Sequence, residues 1–452
     1  MFNSTWECNP LVIREAASLG LKIIARDLPQ YVEMFKGLIT PLSDEISNNV
    51  GLLRKLISST RDYQILNGMT ENFTEKHYNL YKFLLTQEPI KNFKSNSKVH
   101  VKQFFINEPF LEITGESDSE YDIKFFDESG ICHYDNKIKS NHWIKLNRKY
   151  FTKWNTKILE DGVLIYDKTL DYKGKRVFIN FDSRSLGDTI SWIPYVLEFK
   201  NVHQCDVIVS THLNHLFRDV YPELEFVDPG NVIHNIHGQY NIGWFYDVNK
   251  EPVLPNTIPL QQAATNILGL PYTEIKPRIS YKIYDRPYKE KYITIATNST
   301  AGCKFWTKEG WQELINYLHS LGYKVINVSK EDNKFNNCEK VKNTAMDYTM
   351  NVIHHSEFFV GLSSGLSWLS WAMGKHVVMI SNFTESDHEF TSNCTRITNP
   401  IVCNGCWNSP MYKFNKGDWN WCPVHKGTSR QFECHTSITS EMVINQIKHL
   451  LM

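Results

Sequence analysis

The chain has 452 residues, 42% of them hydrophobic, which suffices for roughly two to four domains with substantial cores. Its 49 basic and 49 acidic residues cancel, so the charge gives no support to a phosphate-tracking surface or to nucleic-acid binding. The start lacks a basic segment, a long apolar run and a small-residue cleavage site, and no stretch is apolar for long enough to cross a bilayer; a cytoplasmic chain without membrane insertion is expected.

Taken in order, residues 1–96 read as a mainly helical accessory region, with Leu11, Ile13, Ala16, Ala17 and Leu19, and later Leu52, Leu53, Leu56 and Ile57, near helical spacing. The polar run from Gln87 to Lys98 reads as a connector. Residues 97–172 carry the short pieces VHVKQFFI, YDIKFF, GICHY and GVLIYD between turn formers, which predicts a small antiparallel β domain. Residues 173–288 begin with KRVFINF, then DSRSLGDT, then apolar residues at Ile190, Ile193, Val196 and Leu197: strand, loop and helix, the entry to an α/β half. Residues 289–452 repeat the style more regularly, with KYITIA, EGWQELINYLHSLG, YKVINVS, FFVG, LSSG, SWLSWAMG and HVVMI. Two doubly wound halves in tandem place a ligand cleft between them, at the carboxyl ends of their strands.

Three loops could carry chemistry there. The first holds Asp182 and Asp188, either able to take a proton from a hydroxyl, with Gly187 permitting close approach; a helix cap is the plainer role for either aspartate. The matching loop of the second half holds Asn298, Ser299, Thr300 and Lys304, a grip for phosphate oxygens unless the lysine is merely solvated. In GLSSGLSW, Gly361 and Gly365 let backbone come close, Ser363, Ser364 and Ser367 offer donors, and a helix starts at the loop's end. Its Gly-x-Ser-x-Gly order also matches a hydrolase nucleophile elbow, for which His388 with Asp387, or His425, would have to be drafted. An acidic loop facing phosphate-suited loops points instead to sugar transfer from a nucleotide donor, and without a well-placed Asp-x-Asp a catalytic magnesium ion is not required.

Four of the ten cysteines, Cys403, Cys406, Cys422 and Cys434, fall late in the chain, and the first two have the Cys-x-x-Cys spacing that brings two thiolates onto one metal ion. A closed four-thiolate site would be structural. Spacing does not choose between zinc and iron, a redox pair of Cys403 and Cys406 is the alternative, and His425 and His435 keep a histidine-containing set open. The remaining six cysteines, scattered in a reducing compartment, read as free thiols.

LGDTISWIPY (186–195), CKFWTKEGWQELINYLHSLGYKV (303–325), FFVGLSSGLSWLSWAMGKHVVMIS (358–381) and VCNGCW with GDWNWCPVHKGTSRQFEC (402–434) resemble the bacterial autotransporter heptosyltransferase family over about residues 97–450. The resemblance implies an inverting protein O-heptosyltransferase of the GT-B type, two Rossmann-like halves with accessory amino-terminal helical and β-rich regions and a four-cysteine metal site. It implies ADP-heptose as donor, serine hydroxyls of an autotransporter passenger as acceptor, one structural iron ion per subunit (zinc being the other candidate) and a homo-oligomer, a dodecamer. Carried onto this chain, Asp188 matches the base, Lys304 the diphosphate-binding lysine, and Cys403, Cys406, Cys422 and Cys434 the iron ligands; Ser299, Thr300, Gly361, Ser363, Ser364 and Gly365 would complete the donor site. The rival readings are a glycosyltransferase using another nucleotide sugar and a metal-braced binding or scaffold protein without turnover.

Overall fold

The computed structural model describes residues 99–451 other than 107, 116–117, 332–333 and 416, together with two short strands nearer the start, Ile23–Arg26 (β1) and Ile39–Leu42 (β2). The chain divides into two units, 1–92 and 93–452. In the first, β1 and β2 pair in parallel with Ile23 opposite Ile39; the helices expected over 1–96 lie outside the described residues.

The second unit begins with seven strands: β3 (Val99–Ile106), β4 (Pro109–Gly115), β5 (Glu120–Phe126), β6 (Cys132–Lys139), β7 (His142–Lys145), β8 (Asn155–Glu160) and β9 (Val163–Thr169). Four of them form an antiparallel sheet in the order β6-β5-β8-β9. The other three take a different course. They extend the sheet of the first α/β half, built from β10 (Arg176–Phe181), β11 (Asp206–Ser210), β12 (Glu225–Phe226) and β13 (Gly238–Ile242), in the order β12-β11-β10-β13-β3-β4-β7. β3 joins through a parallel pairing of Phe105 with Gly238, so one sheet runs across position 172. Alternating strand pieces specify that they pair, and the partner is chosen by which apolar face must be covered.

The first half has two helices, α1 (Leu186–His203) and α2 (Leu260–Leu268). α1 is buried along Ile190, Trp192, Ile193, Val196 and Phe199, and Trp192 also donates its indole N–H to the Leu260 carbonyl at 2.9 Å, which ties α1 to the start of α2.

The second half is a parallel sheet of β14 (Tyr292–Ile295), β15 (Lys324–Asn327), β16 (Cys338–Lys340), β17 (Phe359–Leu362), β18 (Val377–Ile380) and β19 (Cys394–Ile397), in the order β16-β15-β14-β17-β18-β19. β14, β17 and β18 are buried at every position, as strands covered on both faces must be. Their covers include α3 (Lys308–Ser320), α4 (Met346–His355) and α5 (Gly365–Ala372), followed by α6 (Glu433–Thr436) and α7 (Ser440–Ile447). α3 is specified locally: Thr307 caps it by accepting from Gly310 N at 3.0 Å, and Trp311, Leu314, Ile315 and Leu318 form its buried stripe.

Candidate functional site

In each half a buried strand feeds a short loop and then a helix. In the first, Ser185 takes extended backbone (φ −68°, ψ 136°) and caps α1, its hydroxyl accepting from Asp188 N at 3.5 Å. The cap sets Asp188 in the first helical turn, where the helix dipole favours a negative charge. The Ser183 hydroxyl and the Trp244 indole N–H both donate to Asp188 Oδ2, at 2.6 and 2.8 Å. Burial raises the Asp188 pKa; the Ser183 and Trp244 hydrogen bonds and the positive Lys304 oppose that rise without cancelling it, leaving the carboxyl above its usual range. Asp182, on the same loop, is exposed.

In the second half Lys304 ends the tight turn Gly302–Lys304. Its Nζ donates to the Ser363 carbonyl at 3.2 Å and lies 5.5 Å from the centre of the Phe383 ring. Ser299 Oγ donates to the same carbonyl at 3.4 Å, while Thr300 is exposed. The buried Ser363 hydroxyl donates to Glu389. Arg396 meets the same carboxylate at 2.6 Å and Thr384 donates to it at 3.0 Å. Burial would raise the Glu389 pKa, but Arg396 and these donors overcome that and hold it down to about 2. Ser364 is the cap residue of α5, and its buried hydroxyl oxygen has no partner among the described residues.

The halves close on one another through two glycines. A Cβ on Gly365 would stand 3.0 Å from Leu186 Cβ and 3.2 Å from Gly187 N; one on Gly187 would stand 3.2 Å from Trp368 Cδ1. The first turns of α1 and α5 therefore abut, which sets Asp188 within the electrostatic reach of Lys304, itself held by the Ser363 carbonyl beside the Ser364 cap of α5. Gly361 is placed differently, inside β17 opposite Met379 and against the Phe359 ring. The hydrolase elbow does not assemble: Ser363 is committed to Glu389, and His388 Nδ1 lies 3.0 Å from the Ile258 carbonyl and 3.1 Å from Asn408 Nδ2.

The four-cysteine metal site requires correction. Among the described residues, the donor atoms that converge within 4.8 Å of one another belong to Cys403, His425 and Glu433. The reason is local: α6 is a single short turn in which Glu433 accepts from Cys403 N at 3.4 Å and faces His425 Nε2 at 3.4 Å, whereas Cys434 Sγ lies 3.2 Å from its neighbour's His435 Nδ1. Cys406, Cys422 and Cys434 line the same cavity of about 10 Å³, and Cys406 Sγ is 3.7 Å from Cys403 Sγ. One sulfur, one imidazole and one carboxylate suit a borderline divalent ion such as zinc or ferrous iron. Arg430, 2.6 Å from Glu433, helps keep that carboxylate ionised, its hydrogen bond lowering the Glu433 pKa.

Reading the sequence missed Trp244, Trp407, Ser183, Arg396 and Glu433. Of these, only Trp244 carried a usable signal, standing just past the strand GQYNI at the carboxyl edge of the first-half sheet.

Three comparisons bear on what this cleft does. The model of glycosyltransferase family 9 (heptosyltransferase) matches residues 246–420. Autotransporter heptosyltransferase Aah of Escherichia coli is 35% identical over 350 residues, covering 73% of this chain and 89% of the relative. An inactive autotransporter heptosyltransferase, BimC of Burkholderia thailandensis, is 30% identical over 67% of this chain and 75% of its own. Among solved structures, the iron-containing dodecameric glycosyltransferase TibC of enterotoxigenic E. coli and the complex of dodecameric iron-containing heptosyltransferase TibC with ADP-D-beta-D-heptose each superpose with a TM-score of 0.71 at 28% identity; the complex covers 81% of this chain and 99% of TibC.

Proposed function

The chain belongs to the autotransporter heptosyltransferase family, and from that premise we propose that it transfers heptose from ADP-heptose to serine hydroxyls of an autotransporter passenger. One relative is named inactive, so turnover rests on the site. The observation that carries it is a half-buried carboxylate, Asp188, near enough to the Lys304 ammonium to feel its charge, where the first turn of α1 meets the amino end of α5.

In the proposed reaction the acceptor oxygen attacks the anomeric carbon as the bond from that carbon to the diphosphate oxygen breaks. The hydroxyl proton passes to Asp188, and direct displacement inverts the anomeric centre. Lys304 and the α5 amino end face the negative charge that grows on the departing ADP, with Ser299, Ser363 and Ser364 lining its path and Gly365 allowing close approach. Thr300, which is exposed, and Gly361, which lies within β17, stand outside this arrangement. The carbonyl of Ser363 holds the lysine in place, and the Glu389–Arg396 pair holds Ser363.

Cys403, His425 and Glu433 would hold one metal ion, iron by analogy with TibC, and the ion would brace the carboxyl-terminal segment. Assembly as a homo-oligomer, a dodecamer as in TibC, and action in the cytoplasm before passenger export complete the reading. Among the described residues no helix is long and apolar enough to cross a membrane.

The test is to incubate the purified protein with passenger and, separately, ADP-heptose, UDP-hexose and GDP-hexose, and to read the mass added to the peptide. A heptosyl mass on serine with the ADP donor alone is expected; selective use of a UDP or GDP sugar overturns the donor assignment.

A further inference from the structure

The side chain that holds Asp188 is itself held by the cysteine-rich segment. Trp244 donates to Asp188 Oδ2 at 2.8 Å, and its ring packs edge-on against Trp407, with centroids 5.5 Å apart and planes at 82°. Trp407 directly follows Cys406. Its backbone N–H donates to the Phe383 carbonyl at 3.1 Å, and its own carbonyl accepts from Asn256 Nδ2 at 2.9 Å. Phe414 packs on its ring at 5.0 Å and Phe383 at 5.8 Å. Among the described residues the buried Trp407 indole nitrogen has no hydrogen-bond partner, so this side chain is used for its shape. On its remaining sides the Trp244 ring meets Trp192 of α1 at 6.3 Å and His388 at 6.4 Å. An indole boxed on three sides has little rotamer freedom, and its N–H points where the box directs it.

We propose that Trp244 is a positioning residue for Asp188 and that Trp407, carried by the cysteine-rich segment, sets the orientation of Trp244 and hence of the base. The inference deepens the reading above and rests on Asp188 being the base. Ser183 and Trp244 donate to the same oxygen, Oδ2, so together they fix the carboxylate's rotation and leave Oδ1 outside both hydrogen bonds. Both donors also favour the charged carboxylate over the protonated one. Moving the Trp407 ring would free Trp244 to turn, and the base would lose its alignment; Phe383, which also packs on Trp407, keeps the Trp421 ring against it beneath Lys304.

Two pairs of variants test this in the full-length protein. Trp244→Phe keeps a ring and deletes the N–H. Its kcat at neutral pH is expected to fall about tenfold or more, the scale of one hydrogen bond to a charged group. The acid limb of its kcat–pH profile is expected to move up, because the ionised form of Asp188 has lost a donor, while the Kd for ADP stays as in the parent. Trp407→Leu should move kcat and the acid limb the same way, and Trp407→Phe, which restores an aromatic edge, should recover most of both. The charged groups about Asp188 are Lys304 from the second half and Asp182 and Arg184 on its own loop, and none of them is substituted; His388, whose ring packs on both Trp244 and Trp407, is pushed by burial toward its neutral form. If Trp244→Phe leaves kcat and the pH profile at parent values while Asp188→Asn is inactive, the inference is wrong and the base assignment stands. Transfer that persists in Asp188→Asn overturns both. A Trp407→Leu protein whose ADP affinity falls in step with kcat, with no movement of the acid limb, reduces Trp407 to packing and overturns its part.

Discussion

Asp188 is half-buried and, as a base, has to be ionised, and its surroundings divide that task. Burial against the facing half raises its pKa, while Ser183, Trp244 and Lys304 stabilise the anion. The sign of the net effect fixes a pH dependence. A base must be unprotonated to accept a proton, so transfer should fall as pH drops through the Asp188 pKa, along a limb lying above the range of an ordinary aspartate, about 3.9. Asp188→Asn keeps the shape and removes the proton acceptor. Transfer should fall by about 10² to 10⁴-fold, with ADP affinity within about twofold of the parent, read by mass addition and by calorimetric titration. Asp188 in LGDT was legible in the sequence because a capped helix after a buried strand is a local pattern. Its choice over Asp182 was not, since both stand on one loop and only the packed structure leaves one exposed and the other enclosed.

At the scale of elements, the cleft depends on loops that are held from behind. β17 and β18 are buried strands whose carboxyl ends deliver Ser363 and the segment 381–390, and the Glu389–Arg396 pair ties that segment to β19. Both partners are largely withdrawn from water, Glu389 at 2% and Arg396 at 11% side-chain exposure, so removing one leaves the other poorly compensated. Glu389→Gln should cost about 3–5 kcal/mol in urea unfolding and also weaken donor use, because Ser363 loses its acceptor. The pair's pH dependence follows from its sign. With the Glu389 pKa depressed to about 2, its contribution is fully present above the unfolded value near 4.5 and is lost as pH falls toward 2. His388 and Glu389 were visible in the sequence as polar residues after HVVMIS, but no periodicity could say that one packs on a tryptophan and the other anchors an arginine.

Across the second unit, the cysteine-rich segment reaches both faces of the cleft. Cys303 N donates to the Trp419 carbonyl at 3.1 Å, beside Lys304, and Trp421 packs edge-on against Phe383, the ring under that lysine. On the other face Trp407 meets Trp244. A metal ion bound at Cys403, His425 and Glu433 would stabilise this segment in the folded state alone, by about 2.7 kcal/mol when free metal stands at a hundred times its Kd. Chelation should therefore lower the melting temperature, or dissociate the assembly in light scattering, at chelator concentrations below those that stop transfer. A chelated protein with unchanged melting temperature and assembly would remove the bracing role.

The sequence by itself determined the strands and helices of the two α/β halves, the loops at the strands' carboxyl ends, and a metal-suited segment between 401 and 436. These are local properties, set by side-chain period, caps and spacing within a few residues. Tertiary structure alone decided which elements and donors meet. It sent β3, β4 and β7 into the sheet of the first half, brought Gly187 against Gly365, set Trp407 on Trp244, and gathered Cys403 with His425 and Glu433 in place of four thiolates. The strand, glycine and tryptophan pairings join residues far apart in the chain, where the partner is chosen by which surfaces must be buried together and no local pattern carries that choice; the metal donors lie within one segment, and there the short turn of α6 decides which of them converge.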